Sequence, residues 1–112
     1  MRNCNKVIAI ARTTINPEEG EPAALEYSLC QKEGLEGEIL YSLRVDKRNL
    51  GGELIEREET PPLTGSLADA IACAEAFAKG TVPPAVLLEM IDEWYDSYFE
   101  SDFPTSIHSA GE

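Results

Sequence analysis

Residues 83–100 read PPAVLLEMIDEWYDSYFE, and their spacing predicts an amphipathic helix. Pro84 suits the first helical turn, because a proline there loses no intrahelical hydrogen bond. The apolar residues recur at offsets of 0, 1, 4, 7, 8 and 11, which is one stripe of an α-helix: Leu87, Leu88, Ile91, Trp94, Tyr95 and Tyr98. Such a stripe needs another apolar surface to cover it, so the segment predicts a helix packed on a sheet or on a second helix.

The opposite side of this predicted helix is acidic. Its carboxylates recur at offsets of 0, 3, 4, 7 and 11: Glu89, Asp92, Glu93, Asp96 and Glu100. Acids near a helix C-terminus interact unfavourably with the helix dipole, by roughly 0.3–1 kcal/mol each at low salt, and no Lys or Arg lies within the segment. The plain interpretation is a solvated, solubilising face. The functional interpretation is a docking face for a basic partner.

A first helix is predicted just upstream, in SLADAIACAEAFAKG, residues 66–80. Ser66 is a suitable N-cap and Gly80 a suitable end. The apolar positions again follow helical spacing: Leu67, Ile71, Ala74, Phe77 and Ala78.

The first half of the chain alternates with a period of two, which predicts strands with one apolar face. The alternating apolar residues are Leu25, Tyr27 and Leu29 in one segment and Ile39, Tyr41, Leu43 and Val45 in the next. Glycine-containing turns at 32–37 and 47–53 separate these strands from each other and from a third strand near ELIERE, residues 53–58. KVIAIARTTI, residues 6–15, is a candidate fourth strand.

Together these segments predict an α+β fold with two layers. Three or four antiparallel strands form a meander, and two C-terminal helices pack on one of its faces. Residues 1–100 are expected to form a single domain, and residues 101–112 a flexible acidic and polar tail.

Composition is that of a globular cytoplasmic protein. The chain has 112 residues, of which 43% are apolar and 27% charged. Its run of five apolar residues, Val7–Ala11, is too short for a signal-peptide core. Cys4, Cys30 and Cys73 are widely spaced and odd in number, so we interpret them as reduced thiols, with Cys30 exposed on the polar side of its strand.

The net charge of −12 is concentrated in the second half of the chain. Residues 1–57 hold ten acids and eight bases, whereas residues 58–112 hold eleven acids and Lys79 alone. Nucleic acids and anionic membranes are therefore disfavoured as partners, because binding them requires an excess of Lys and Arg.

No pattern requires a particular chemistry, so no catalytic, cofactor-binding or metal-binding residue is predicted. His108, the single histidine, lies in the tail. The favoured function is a non-enzymatic protein-interaction module that uses the acidic helix face or an edge strand, with itself or a basic protein as the partner. The alternative is a small-molecule binder or enzyme with a pocket between sheet and helices, using Tyr27, Tyr41 or Trp94.

The order of parts resembles a family of small uncharacterised bacterial proteins, a domain of unknown function found mainly in clostridial sequences. The matching parts are LEYSL (25–29), ILYSLRV (39–45), ELIERE (53–58), a helix, and PPAVLLEMIDEWY (83–95). The resemblance covers about residues 23–96 and implies the fold only. The family brings no established activity, and the acidic extension past Tyr95 departs from its pattern.

Overall fold

The computed structural model describes residues 5–16 and 20–100, apart from the side chains of Tyr95 and of residues 97–100. Four antiparallel strands form one sheet in the order β1-β2-β3-β4, and two helices follow, so the predicted α+β fold and its fourth strand are confirmed. The elements are β1 (Lys6–Ile15), β2 (Ala23–Glu33), β3 (Ile39–Asn49), β4 (Leu54–Glu59), α1 (Leu67–Lys79), a 3₁₀ turn (Pro84–Val86) and α2 (Leu87–Glu100).

The β2–β3 hairpin is the longest ladder of the sheet. Its pairing runs without a break from Ala23 opposite Asn49 to Glu33 opposite Ile39. Gly37 closes the connecting turn at a φ of +84°, a conformation that a side chain would strain. β1 pairs with β2 along its length, with one bulge between Ala9 and Ala11.

One face of the sheet forms the hydrophobic core. Its buried strand residues are six of the seven in the predicted alternation: Leu25, Tyr27, Leu29, Tyr41, Leu43 and Val45. The prediction was wrong for the seventh, Ile39, which is 41% exposed because it begins β3 at the end of the sheet. Helix α1 packs across β1, β2 and β3, while the 3₁₀ turn and the start of α2 lie against β3 and β4. The apolar side of α2 faces this core through Leu87 and Ile91, and Glu89 and Asp92 remain exposed.

Helix α1 begins as predicted but is rotated relative to the predicted stripe. The Ser66 hydroxyl caps it by accepting a hydrogen bond from the Asp69 amide at 3.1 Å. The buried residues are Ala70, Cys73, Ala74 and Phe77. Leu67 was predicted to be buried, but it is 42% exposed. Small residues on the buried face allow the helix to approach the large Tyr27 and Leu side chains of the sheet closely, which sequence periodicity alone does not register.

The end of α1 is held by a Schellman motif. The Val82 amide donates to the Phe77 carbonyl and the Thr81 amide to the Ala78 carbonyl, both at 3.1 Å. Gly80 is the helix cap, with an ordinary φ of −84°. The left-handed position falls on Thr81, at φ 55°.

The apolar stripe of α2 is narrower than predicted. Leu87 and Ile91 are buried and Trp94 is half-buried, whereas Leu88 is 44% exposed. The predicted contributions of Tyr95 and Tyr98 lie outside the described side chains, as does the Glu100 carboxylate. Cys4, His108 and the predicted tail 101–112 also lie outside the described residues.

Neither α1 nor α2, the described helices, is by itself long and apolar enough to cross a membrane. Leu67–Lys79 and Pro84–Trp94 meet that condition only when taken together, and the chain bends by 118° between them.

Candidate functional site

The outer side of α2 carries the predicted acidic face. Its four described carboxylates are exposed: Glu89, Asp92, Glu93 and Asp96. They are three or four residues apart along the helix, so they project from one side. We call these four residues the acidic face.

The acidic face lacks cations. None of its four carboxylates forms an ion pair with a described residue, and the last turn of α2 contains no basic residue. Among the described residues, therefore, no cation of the protein balances these four charges, and they face solvent ions instead.

The sheet face opposite the core presents the reverse arrangement. The strand register brings charged residues from all four strands together on this face, over which no described helix or strand packs. We call it the open face, and its charged residues are the cations Arg12, Lys32, Arg44, Arg48 and Arg57 and the carboxylates Glu26, Asp46 and Glu59.

The first ion-pair network of the open face crosses the whole sheet. Arg12 on β1 and Arg48 on β3 approach Glu26 on β2, with nitrogen–oxygen distances of 3.5 and 2.9 Å. Arg48 also lies 3.6 Å from Asp46. From β4, Arg57 binds Asp46 in a bidentate manner at 2.8 and 3.1 Å. Glu26 and Asp46 are direct cross-strand neighbours, so these arginines separate two like charges that would otherwise repel.

The second network is centred on Glu59 of β4. Its carboxylate contacts the Lys32 ammonium, the Arg44 guanidinium at 3.5 Å and the Cys30 thiol at 3.5 Å. Burial by itself raises the pKa of Glu59, but Lys32, Cys30 and Arg44 more than offset this, so the pKa lies below its ordinary value.

Cys30 corrects a prediction from the sequence. Its position on the polar side of β2 predicted an exposed thiol, but it is fully buried. The long charged side chains of the second network extend over the face and hide the shorter residues beneath them.

Arg44 is the least satisfied cation of the open face. It lies at the centre of the sheet with 18% of its side chain exposed, and its ion pair with Glu59 does not meet hydrogen-bond geometry. Its buried Nε has no hydrogen-bond acceptor in the described chain. Because the Glu59 carboxylate is shared among three groups, Arg44 has a charge partner, but its Nε has no hydrogen bond.

The charge balance of the open face is positive. It holds five of the nine Lys and Arg residues of the chain against three carboxylates, an excess of two positive charges in a protein of net charge −12. Sequence reasoning identified the acidic face but missed the open face. The missing signal was the strand register, since the three connections between the four strands together fix which charged residues meet across the sheet.

An apolar groove of about 340 Å³ lies between the two helices. It is lined by Phe77, Val82, Met90, Glu93 and Trp94, together with Ala76 and Gly80. The Trp94 and Phe77 rings meet edge to face, with centroids 6.4 Å apart. The groove is therefore lined by the two helices and the turn that joins them, not by the sheet as the sequence-based alternative supposed.

The two tyrosines named for a pocket are part of the core. Tyr27 is fully buried, and its hydroxyl donates to the Val82 carbonyl at 2.8 Å. Burial raises its pKa to about 12. Tyr41 is 9% exposed in the same cluster. Of the three aromatic candidates, Trp94 lines the groove between the helices, and Tyr27 is among the residues that line a second groove beside the bulge of β1.

Two features of the described residues bear on catalysis: the placement of metal-ligating side chains and the reactivity of the α1 thiol. No group of three or more His, Cys, Asp or Glu side chains among them is placed to hold a metal ion. Cys73 is buried on the core side of α1, and burial raises its pKa to about 12, which suppresses the thiolate that a nucleophile needs.

Fold and surfaces together define a small α+β domain with an acidic helix face and a cation-rich sheet face. The chain belongs to the family of unknown function DUF6514, whose model matches residues 6–97. The match begins earlier than the resemblance in the sequence indicated, and it includes all of β1. No curated protein and no solved structure matches the chain.

Proposed function

We propose that this protein is a non-enzymatic interaction module that binds a basic protein partner through the acidic face. One contrast carries the proposal. Each of the three carboxylates of the open face has a cation within 3.6 Å, whereas none of the four on the acidic face has one among the described residues. The open face pairs its three carboxylates with cations, and the acidic face leaves its four without a described cation partner.

The energetics favour a partner that brings several cations together. A single exposed ion pair contributes roughly 0–1 kcal/mol, so one contact alone is too weak to hold a complex. Four carboxylates on one helix side act at the same time. They also attract a basic partner over a distance of about one Debye length, roughly 8 Å at physiological ionic strength.

Charge reversal on α2 tests the proposal. The variant Asp92→Lys/Glu93→Lys/Asp96→Lys should bind a short labelled oligolysine peptide about tenfold more weakly or worse, as measured by fluorescence anisotropy. The matched control is Glu36→Lys/Glu56→Lys/Glu75→Lys, which changes the net charge equally at exposed acids elsewhere. An equal loss of affinity in both variants would show that peptide binding depends on net charge rather than on the acidic face, and would refute the proposal.

A second interaction surface is the outer edge of β1, which supports homodimer formation by strand pairing. β1 is ten residues long and pairs with β2 on one side only. Val7 is 50% exposed, and an apolar shelf that includes Ile10, Ala72 and Ala76 runs beside the strand. An unpaired edge of this length is a template for another strand, although the bulge after Ala9 divides it into two segments.

Lysine substitution on the edge separates this route from the acidic face. Val7→Lys/Ala9→Lys should abolish a β1-mediated dimer in sedimentation velocity, because charged edges oppose strand pairing. Leu35→Lys/Leu50→Lys, at the exposed β2–β3 and β3–β4 turns, is the matched control with the same added charge and should leave the dimer unchanged. A dimer that survives the edge variant would exclude β1 as the interface.

The alternative function is a small-molecule binder, now with the groove beside Trp94 as its site. A volume of about 340 Å³ lies at the lower end of the range for ligand pockets. Its lining has one ionisable side chain, Glu93, so it suits an apolar ligand with a cationic group. Saturable quenching of Trp94 fluorescence by such a ligand, weakened in Glu93→Gln, would favour this alternative.

The proposed setting is the cytoplasm of a bacterium. Cys30 and Cys73 are buried free thiols, which suits a reducing compartment. The bacterial part of the proposal rests on the sequence resemblance described above.

A further inference from the structure

We propose that the acidic face of one copy docks on the open face of a second copy, so that the protein associates head to tail. This inference rests on the proposed function, because it names the basic partner of the acidic face. The chain itself contains one surface of the required chemistry.

Charge complementarity is the first support. The acidic face carries four negative charges without described cation partners, and the open face carries an excess of two positive charges. Arg12 is 64% exposed and Arg57 43% exposed, so both guanidinium groups are accessible to an incoming carboxylate.

The two surfaces also match in size. Seven residues separate Glu89 from Asp96, a distance of about 10 Å along the helix axis. Arg44 and Arg48 are four residues apart on β3, or about 14 Å, and Arg12 and Arg57 are three strands apart, again about 14 Å. One helix face therefore fits within the area that these four arginines surround.

The net charge of −12 does not prevent such contact. At about 0.15 M salt the Debye length is about 8 Å, so charges on distant parts of two copies are largely screened while charges in contact are not. Local charge therefore decides whether the surfaces associate. Very low salt is expected to weaken association through overall repulsion, and very high salt through screening of the contacts.

The geometry of the contact determines the kind of assembly. The two surfaces are different patches of one molecule, so each copy that uses its acidic face still has a free open face. Such a heterologous contact continues into chains unless a ring closes. The average mass should therefore rise past that of a dimer with increasing concentration.

Two complementary variants test this arrangement by sedimentation velocity. The open-face variant is Arg12→Glu/Arg57→Gln, with Arg12→Glu alone as the milder version should loss of the Arg57–Asp46 contact impair folding. The acidic-face variant is the triple lysine substitution described above. The matched control for the open face is Lys79→Glu/Lys47→Gln, which changes the net charge equally at cations away from that face. Circular dichroism and thermal melts confirm that each variant is folded.

The expected result is that wild type and control variants associate progressively, while each surface variant alone is monomeric or associates at least about tenfold more weakly. A mixture of the two surface variants should form a one-to-one dimer that grows no further, because it retains one intact interface. The inference would be overturned if the wild type stays monomeric up to millimolar concentration or stops at a dimer. It would also be overturned if both surface variants associate as well as the wild type.

The same variants separate failure of this inference from failure of the proposed function. If the wild type is monomeric yet binds labelled oligolysine through the acidic face, the proposed function holds and the second copy is not the partner. If association depends on Val7 and Ala9 instead, the edge of β1 is the interface. If neither binding nor association depends on the acidic face, both proposals fail.

Discussion

Replacing Tyr27 with Phe removes one oxygen atom from the centre of the protein. The Tyr27 hydroxyl lies on β2 and donates at 2.8 Å to the Val82 carbonyl, at the Schellman motif that ends α1. This hydrogen bond joins the sheet to the turn between the helices. Tyr27→Phe keeps the ring in the core and leaves the Val82 carbonyl without its partner.

The cost follows from burial. A buried carbonyl left unsatisfied costs roughly 1–3 kcal/mol, and Tyr27 is 0% exposed. In a domain of this size, each kcal/mol lowers the melting temperature by about 4–8 °C. We therefore expect Tyr27→Phe to lower the free energy of unfolding by about 2 kcal/mol near neutral pH, measured by urea unfolding followed by circular dichroism.

Alkaline pH should reduce the difference. Burial raises the pKa of Tyr27 from 10.0 to about 12, so its contribution to stability is complete below pH 10 and is lost as the pH rises toward 12. At pH 11 the wild type loses about 1.4 kcal/mol that Tyr27→Phe does not lose. The difference in unfolding free energy between the wild type and Tyr27→Phe should therefore decrease by that amount.

Tyr41→Phe is the matched control. Tyr41 lies on the same face of the sheet, but its hydroxyl makes no hydrogen bond to a described residue. Its removal should cost less than about 0.5 kcal/mol. Equal losses of unfolding free energy in Tyr27→Phe and Tyr41→Phe would show that the hydrogen bond to Val82 does not stabilise the protein. So would a difference in unfolding free energy between wild type and Tyr27→Phe that is unchanged at pH 11.

Three further predictions concern the helix end and the open face. Thr81→Gly should raise the free energy of unfolding by about 0.5–1 kcal/mol in urea, because a β-branched residue at φ 55° is strained; a decrease would contradict this. Arg57→Ala should lower the free energy of unfolding by about 1–3 kcal/mol, because Arg57 holds the buried Asp46 in a bidentate contact. Arg12→Ala should lower it by less than about 0.5 kcal/mol, and equal melting temperatures of the two variants would exclude the role of Arg57. Glu59→Gln should destabilise the protein at pH 7, and this difference should shrink as the pH falls below 4.5, the ordinary pKa of a glutamate, because a lowered pKa contributes stability only where the carboxylate is ionised; a difference that does not shrink in acid would refute it.

The elements of the fold were predictable because their signals are local. Alternation at Leu25, Tyr27 and Leu29 identifies a strand, and a cap such as Ser66 marks a helix start, within a few residues of sequence. The acidic face was predictable for the same reason, since helical spacing alone places Glu89 and Asp92 on one side.

The remaining features depend on contacts between distant segments. Arg57 meets Asp46, and Lys32 meets Glu59, only after the strand register is set. Cys30 becomes buried because of that same register. The rotation of α1 depends on the sizes of the sheet side chains opposite it. The residue with left-handed backbone conformation after α1 is Thr81, one position beyond Gly80, where a glycine is expected.

A dilution series of ¹⁵N-labelled protein, followed by amide and arginine side-chain chemical shifts, tests the central claim that the acidic face is a binding surface for the open face. We expect two groups of signals to move together with concentration, those of residues 89–96 and those of Arg12, Arg44, Arg48 and Arg57. Shifts confined to the β1 edge, or no shifts up to millimolar concentration, would contradict it.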